Sequence, residues 1–286
     1  MTTLVSGHQP RAAVIGGGTM GAGIAYTLAV ASHEVWVVEP SLERVDQLTR
    51  EIEAVAAAGV ERGKLQTKDM QRIARDIHHV TRIADLPLGL DVIIETVPER
   101  QELKLEVLRE AESRNPLLLG SNTSALSITE LAVGLDRPEA FLGMHFFNPV
   151  WSLALVEVVR GKQTSADTVE AALAIVKAIG KQSAVVNDSP GFATSRLDVC
   201  LALEAIRMLE EGVAEAADID RAAELAYRHP VGPLRLSDIV GLDVRLDIAR
   251  GLTEKLGPRF TPPALLIAKV EAGELGKKTG KGFYDW

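Results

Sequence analysis

The chain has 286 residues, of which 47% are hydrophobic and 24% charged, and its formal net charge is −8. That length allows one large domain or two ordinary ones, and the composition is normal for a globular protein. The acidic balance argues against a general binder of nucleic acid or of anionic membranes.

We expect neither export nor membrane insertion. The first ten residues lack the apolar core of a signal peptide, and no apolar run reaches the length of a membrane span. The single cysteine, Cys200, cannot form an internal disulfide and sits in an apolar run, so we expect it to fill the core in a reducing compartment. The expectation is a soluble cytoplasmic protein without nucleic-acid or membrane partners.

A glycine-rich turn follows the first apolar run. In AAVIGGGTMGAGIA, residues 12–25, Gly16, Gly18 and Gly21 fit the spacing G-x-G-x-x-G. The first glycine of this motif allows a tight turn after a strand, and the second lets the backbone approach a pyrophosphate. The third allows close packing of helix on strand, and the helix N-terminus then points N–H groups at the phosphates. The stretch predicts a dinucleotide site; a glycine-rich turn that binds no nucleotide is the alternative.

An acidic residue ends the next apolar run, EVWVVE, residues 34–39. In dinucleotide-binding folds a carboxylate about 20 residues after the glycine turn accepts hydrogen bonds from the ribose hydroxyls and would repel a 2′-phosphate. Glu39 therefore favours NAD over NADP as the cofactor.

Strand and helix patterns alternate up to residue 187. Helical spacing covers residues 41–59, with Ser41 as N-cap, and a shorter pattern extends to about 75. Further helices are predicted at 99–113, 127–133 and 168–179, and strands at 78–81, 90–97, 117–120, 140–147, 153–159 and 183–186. This alternation predicts a Rossmann-type α/β domain over residues 1–188, with a doubly wound, mostly parallel sheet.

Beyond residue 187 the pattern is helical throughout. Periodic segments at 192–209, 219–227, 234–248 and 263–271 predict an all-helical C-terminal domain over residues 189–286. Large aliphatic residues are frequent there, which favours burial against a second chain; a self-contained bundle is the alternative.

Polar residues at strand ends are the candidates for chemistry, since ligands of open α/β sheets bind beyond the carboxyl ends of the strands. Glu99, Asn122, Ser124, His145 and Asn148 all follow predicted strands. Among the six histidines, His145 alone closes a buried-looking strand beside aromatic residues and an Asn-Pro turn.

A lone buried histidine is more often a core residue than a catalytic one, but Glu157 changes that balance. It is the one acidic residue in the apolar strand LALVEVV, where a carboxylate is costly unless it is paired. Pairing with His145 would orient the imidazole so that it takes a hydroxyl proton as hydride leaves the carbon, while Ser124 hydrogen-bonds the same oxygen. An exposed edge-strand position is the alternative for Glu157.

Segments across nearly the whole chain resemble the 3-hydroxyacyl-CoA dehydrogenase family. They are GGGTMGAGIA, IIETVPE, SNTSALSITELA, FLGMHFFNPVWSLALVEVVRG, NDSPGFATSRL, DIDRAAELAYRHPVGPLRLSDIVGLD and GKKTGKGFYDW, in family order. The resemblance implies an NAD-binding domain followed by a helical dimerisation domain. It also implies oxidation of 3-hydroxyacyl thioesters, or reduction of 3-oxoacyl thioesters, by a homodimer that needs no metal.

The resemblance assigns roles position by position. His145 matches the family's catalytic base, Glu157 its orienting partner, and Ser124 the serine that touches the substrate oxygen. The dinucleotide site is matched by Gly16, Gly18, Thr19, Met20, Gly21 and Glu39, with further cofactor positions at Glu99, Lys104, Asn122, Asn148 and Lys278. Ordinary solvated lysines are the alternative for Lys104 and Lys278.

Departures from the family pattern concern the substrate. Ser195 stands where the family usually has an asparagine near the substrate carbonyl, and Trp151 lies where the family commonly continues Pro-Val-Met-Lys. The family's CoA-contacting serine and lysine fall near Val55 and Arg62; Arg62 can still meet a phosphate, but Val55 cannot hydrogen-bond. We therefore include Ser195 among the catalytic positions, and Arg62 and Trp151 among the substrate-binding ones.

Three functional hypotheses result. The first is NAD-dependent oxidation of short-chain L-3-hydroxyacyl-CoA, for example 3-hydroxybutyryl-CoA, or the reverse reaction in fatty acid metabolism. The second keeps this chemistry but places the hydroxyacyl group on an acyl carrier protein in polyketide-precursor biosynthesis. The third is a non-catalytic NAD-binding protein, which the joint presence of His145, Glu157 and Ser124 opposes.

Overall fold

The computed structural model describes residues 9–286, so the expectations for the N-terminal segment before Gln9 lie outside the described residues. The chain divides into two compact units, Met1–Asp188 and Ser189–Trp286. Within the described residues, no helix is both long and apolar enough to cross a bilayer.

An eight-stranded sheet organises the first unit, in the order β3-β2-β1-β4-β5-β6-β7-β8. All neighbours pair in parallel except β6 and β7, which are antiparallel. The strands are β1 (Arg11–Ile15), β2 (Glu34–Val38), β3 (Ile77–Val80), β4 (Val92–Glu95), β5 (Leu118–Ser121), β6 (Phe141–Phe146), β7 (Leu155–Arg160) and β8 (Gln182–Asn187). The predicted Rossmann-type, mostly parallel sheet is confirmed.

Helices surround the sheet: α1 (Thr19–Val30), α2 (Leu42–Glu61), α3 (Thr67–Asp76), α4 (Gln101–Glu112), α5 (Ile128–Ala132) and α6 (Ala166–Ala178). Ser41 caps α2 as predicted, because its hydroxyl accepts a hydrogen bond from the Arg44 N–H. The buried stripe of α2 follows helical spacing and joins one core cluster with α1, α6 and one face of the sheet.

One face of the sheet packs in the apolar core, and the other carries the polar residues of the candidate site. Alternate strand residues such as Ile94 and Met144 lie in the apolar cluster beneath α1 and α6. Because side chains alternate along a strand, Glu95, His145 and Glu157 lie on the opposite face. The polar residues that matter below therefore share one face and one end of the sheet.

The second unit is helical, as predicted, with α7 (Thr194–Glu210), α8 (Ala216–Tyr227), α9 (Pro233–Val240), α10 (Leu242–Leu256) and α11 (Ala264–Glu271). The single helix expected at 234–248 is wrong. Gly241 interrupts it with a φ of 105°, a conformation that side-chain-bearing residues rarely adopt, and separates α9 from α10.

The expectation that Cys200 fills the core is also wrong. Cys200 is exposed on α7, while its neighbour Val199 is buried. One residue along a helix turns the side chain by about 100°, so an apolar run by itself does not say which of its members faces inward.

Candidate active site

The glycine turn between β1 and α1 leaves no space for side chains at two of the motif positions. Gly16 has a φ of 107°, and a Cβ on Gly21 would lie 1.9 Å from the Gly16 carbonyl oxygen. A Cβ on Gly18, by contrast, would meet nothing within 4 Å. Gly18 is the N-cap of α1, so its open surface coincides with the N–H groups that begin this helix. This combination fits a pyrophosphate at Gly18, with Gly16 and Gly21 shaping the turn.

The carboxylate of Glu39 lies directly against this turn. It accepts hydrogen bonds from the N–H groups of Gly17 and Ser41, each at 2.9 Å. A Cβ on Gly17 would lie 2.9 Å from Glu39 Oε2, which explains the middle glycine of the GGG run. The acidic group expected for the ribose hydroxyls is thus held at the turn that would take the phosphates. Beside it, Thr19 is exposed at the start of α1, whereas Met20 packs partly against the core.

His145 and Glu157 face each other across β6 and β7. They are directly opposite in the antiparallel register, and His145 Nδ1 lies 2.8 Å from Glu157 Oε2. The exposed fractions are 6% for His145 and 0% for Glu157, and β8 covers the outer side of β7. This burial excludes the edge-strand alternative for Glu157. The ring of Phe147 lies 4.4 Å from that of His145, centroid to centroid, so the imidazole has an aromatic wall.

The loop after β5 approaches the same strand end. Asn122 Oδ1 accepts a hydrogen bond from the N–H of Phe146 at 2.8 Å, which ties the loop to the residue after His145. Asn122 therefore has a structural contact that sequence reasoning did not assign. Ser124 is exposed, and its N–H donates to Glu99 at 3.1 Å.

Glu99 anchors the loop through one carboxylate oxygen. That oxygen accepts hydrogen bonds from the Thr123 hydroxyl and from the N–H groups of Ser124 and Ala125. Burial acts to raise the pKa of Glu99, but the Thr123 hydrogen bond and the ammonium of Lys104 outweigh it and lower the pKa. The carboxylate form is thereby favoured, and with it the loop conformation that presents Ser124.

Lys104 lies beneath the loop, not at the surface. It is 1% exposed, and its ammonium donates to Glu95 at 2.7 Å and to the Val97 carbonyl at 3.1 Å, and lies 3.2 Å from Glu99. The alternative of an ordinary solvated lysine is therefore wrong. Direct contact of Lys104 or Glu99 with NAD remains a prediction, since both side chains already have protein partners.

Sequence reasoning missed Glu95, which holds Lys104 from within the sheet. Glu95 is fully buried on β4 and accepts hydrogen bonds from the Ser121 hydroxyl at 2.6 Å and the Val97 N–H at 2.6 Å. Burial raises its pKa in spite of the nearby ammonium. A signal was present in the sequence: like Glu157, Glu95 is a carboxylate within a run of β-branched residues, VIIETV.

The remaining candidates lie at separate places. Asn148 is exposed just after β6, and Ser195 is half-buried in the first turn of α7. In the second unit the ammonium of Lys278 bonds both carboxylate oxygens of Asp243, at 2.6 and 2.5 Å, and this pairing lowers the pKa of Asp243. The roles proposed for Asn148, Ser195 and Lys278 remain predictions.

A cleft of about 540 Å³ in the first unit brings Arg62 and Trp151 together. It is lined by α1, the end of α2 and the turn between β6 and β7, and its other cations are Lys64 and Lys181. The ammonium of Lys181 donates to the carbonyls of Val150 and Leu153, at 2.5 and 2.6 Å, and so holds the turn that carries Trp151. Trp151 is 45% exposed, so part of its side chain is accessible.

These features define the class of protein. A glycine turn at the end of a parallel strand, a carboxylate against it and a buried His–Glu pair on the same sheet are the parts of an NAD-dependent dehydrogenase. The described residues include no group of His, Cys, Asp and Glu side chains arranged to hold a metal ion.

Comparison with known proteins identifies the family. The model of the 3-hydroxyacyl-CoA dehydrogenase NAD-binding domain matches residues 11–189, and that of the C-terminal domain matches residues 191–286. The chain belongs to the 3-hydroxyacyl-CoA dehydrogenase family; it is an oxidoreductase, and its cofactor is NAD.

Three relatives illustrate the similarity. The chain is 39% identical to the 3-hydroxybutyryl-CoA dehydrogenase of Bradyrhizobium diazoefficiens over 276 residues, which cover 96% of this chain and 94% of the relative. It is 38% identical to the 3-hydroxyadipyl-CoA dehydrogenase of Escherichia coli, over 96% of this chain and 58% of that one. The crystal structure of (S)-3-hydroxybutyryl-CoA dehydrogenase from Ralstonia eutropha matches with a TM-score of 0.93 at 36% identity, covering 98% of this chain and 99% of that chain.

Proposed function

We propose that this dehydrogenase interconverts short-chain L-3-hydroxyacyl-CoA and 3-oxoacyl-CoA, with 3-hydroxybutyryl-CoA as the leading substrate. The observation that carries the proposal is the His145–Glu157 pair, buried and joined at 2.8 Å. The names of the relatives support the substrate class, since two of them act on 3-hydroxybutyryl-CoA. We place the reaction in the cytoplasm, as a step of fatty acid metabolism.

The pair divides the proton chemistry between two side chains. Bound NAD would supply the acceptor for the hydride from carbon 3 of the substrate. The hydroxyl proton moves to Nε2 of His145, because Glu157 holds Nδ1. The carboxylate of Glu157 stabilises the imidazolium that results, and in the reverse direction His145 returns the proton to the substrate oxygen. Ser124 donates a hydrogen bond to that oxygen from its exposed position on the loop held by Glu99.

We assign the rest of the cofactor site by the same reasoning. Gly18 and the start of α1 receive the pyrophosphate, and Glu39 receives the ribose hydroxyls. Asn148 and the Lys104–Glu99 pair are proposed to face the nicotinamide half, and the proposed roles of Lys278 and Ser195 rest on the family resemblance alone.

We propose that the cleft lined by Arg62 and Trp151 binds the CoA moiety. Arg62, Lys64 and Lys181 supply positive charge in an otherwise acidic protein, and Trp151 supplies an aromatic surface. A phosphate can pair with the cations, and an adenine ring can stack on the indole. Arg62 can pair with a phosphate, whereas Val55, which also lines the cleft, cannot hydrogen-bond one.

NADH oxidation with purified protein tests the substrate. We expect saturable NADH loss with acetoacetyl-CoA, and a slower reaction with 3-oxoadipyl-CoA because the second carboxylate adds charge and length. The same assay with an acetoacetyl group on an acyl carrier protein tests the second hypothesis, for which the relatives' names give no support. Turnover only on the carrier protein, or on neither thioester, would overturn the proposal.

We also propose a homodimer formed through the second unit. Leu197 is 71% and Leu201 40% exposed on α7, and Val240 and Val244 are 39% and 42% exposed at the α9–α10 junction. Exposed apolar side chains of this kind favour contact with another chain, and symmetric pairs are the commonest assembly.

Sedimentation equilibrium tests the dimer. We expect two chains per particle for the natural protein and one for Leu197→Glu combined with Leu201→Glu, because the paired charges would be buried at the interface. Leu225→Glu on α8, also at an exposed leucine, is the control and should leave the dimer intact. A monomer before substitution would contradict the proposal.

A further inference from the structure

An arginine lies beside the carboxylate that is expected to select NAD. Arg44, in the first turn of α2, donates from Nε to the carbonyl of Gly17 at 2.6 Å. Glu39 accepts from the N–H of the same glycine at 2.9 Å. A carboxylate and a guanidinium therefore flank one residue of the glycine turn. In dinucleotide-binding folds, an arginine in this region accommodates the 2′-phosphate of NADP.

A second carboxylate occupies the guanidinium. The two terminal nitrogens of Arg44 bond the two oxygens of Glu51 at 3.0 and 3.1 Å, a bidentate pair two helical turns along α2. The Arg44 side chain is 21% exposed and that of Glu51 39% exposed. Each of the three guanidinium nitrogens thus has a protein acceptor, and the planar fork is held in one orientation.

We propose that Glu51 is a specificity-determining residue for the cofactor. It neutralises Arg44 and holds it against Gly17, so that only the negative charge of Glu39 is presented to the 2′ position of the adenosine ribose. A 2′-phosphate then meets repulsion from Glu39 and gains no cation in return. Discrimination against NADP comes from this arrangement of three side chains, not from Glu39 alone, and it is independent of the acyl substrate.

The competing explanation is that Arg44–Glu51 is an ordinary surface ion pair. Exposed pairs contribute little on average to stability, and such a pair would leave cofactor choice to Glu39. The two explanations predict different effects of removing Glu51 on NADPH binding. Under the proposal this effect depends on the presence of Arg44 and of Glu39; for an ordinary surface pair it does not.

Isothermal titration calorimetry with NADH and NADPH, without acyl substrate, separates them. We expect Glu39→Ser to weaken NADH binding and to strengthen NADPH binding modestly, because Arg44 is still held by Glu51. Adding Glu51→Gln should strengthen NADPH binding by a further 10- to 100-fold, about the effect of a hydrogen bond between two charged groups. Adding Arg44→Met to that double variant should abolish this gain.

Glu53→Gln is the matched control. It removes one negative charge from an exposed position of the same helix, and in the Glu39→Ser background it should leave NADPH binding unchanged. Thermal unfolding of each variant shows whether the fold is intact. The proposal is overturned if Glu51→Gln adds no NADPH affinity to Glu39→Ser, or if the gain survives Arg44→Met. Because only cofactor binding is measured, these outcomes are separate from a failure on acetoacetyl-CoA.

Discussion

Replacing His145 by alanine should lower the rate of acetoacetyl-CoA reduction about a thousandfold, the usual contribution of a positioned acid–base group. NADH binding should remain intact. Glu157 holds the imidazole at 2.8 Å, and His145 is only 6% exposed. Water therefore has little access to the position of the imidazole and is a poor substitute for it. The turnover number and the dissociation constant of NADH, measured on the same preparation, check both parts of this expectation.

Two companion variants show whether the effect belongs to the pair. Glu157→Gln keeps the shape and a hydrogen-bond acceptor for Nδ1 but removes the charge that stabilises the imidazolium. The expected loss is about 10- to 100-fold, the effect of one hydrogen bond to a charged group. His79→Gln, on the far edge strand β3, removes an exposed histidine of the first unit and should leave the rate unchanged.

A near-normal rate for His145→Ala would end the assignment of His145 as the base. Loss of NADH binding in the same variant would point instead to a damaged fold. In that case His145→Gln, which fills more of the space, decides between the two explanations: a catalytic role requires it to bind NADH and still to be slow.

The sheet could be predicted because its signals are local. Residues 90–97 form an almost unbroken β-branched run, and the structure places β4 (Val92–Glu95) there, with every residue buried. Strands covered on both faces produce such runs, and glycines and prolines mark their ends. The same patterns gave each boundary only to within a few residues, because element ends depend on capping and packing as well as on composition.

The pairing of side chains could be predicted only in part. Glu157 drew attention as a carboxylate in an apolar strand, and His145 was its natural partner because one strand follows the other. Glu95 has the same signal but was missed, and its partner Lys104 lies nine residues further on in a helix whose pattern resembles a solvated surface. Helical spacing alone does not show that a lysine is turned inward under a loop.

The role of Arg44 and Glu51 could not be predicted from the sequence, for a different reason. Their spacing of seven residues on α2 indicates a common helix face, which is also the pattern of countless surface pairs. The contact of Arg44 with Gly17 connects that face to the cofactor turn, and this contact depends on how α2 leaves β2.

Lys104→Met should lower the free energy of unfolding by about 3–5 kcal/mol, the usual cost of leaving a buried charge without its partner. The change removes the cation bonded to Glu95, which is 0% exposed and whose other partners among the described residues are the Ser121 hydroxyl and the Val97 N–H. Urea unfolding at pH 7, with the slope of the transition compared between variants, measures the loss.

The loss of unfolding free energy in Lys104→Met should become smaller as the pH is lowered. Burial already raises the pKa of Glu95, and removing the ammonium of Lys104 removes an interaction that lowers it. A carboxyl group whose pKa is higher in the folded than in the unfolded protein binds its proton more tightly when folded. Such a group stabilises the folded protein at pH values below its pKa in the unfolded chain. This stabilisation is lost as the pH rises through its pKa in the folded protein. The difference in the free energy of unfolding between Lys104→Met and the natural protein should therefore shrink as the pH is lowered from 7 towards the pKa of the carboxyl group in the unfolded chain.

Removing both charges should restore the fold but not the site. In Glu95→Gln with Lys104→Met neither position carries a buried charge, and the hydroxyl of Ser121 can accept a hydrogen bond from the new amide as readily as it donated one to the acid. We expect most of the lost free energy of unfolding to return, since replacing a whole buried pair is often neutral. Glu99 would still lack the ammonium 3.2 Å away that helps to keep it ionised beneath the Ser124 loop, so the rate should stay below normal. Equal instability of the single and double variants would mean that packing around Lys104, and not its charge, supports the loop.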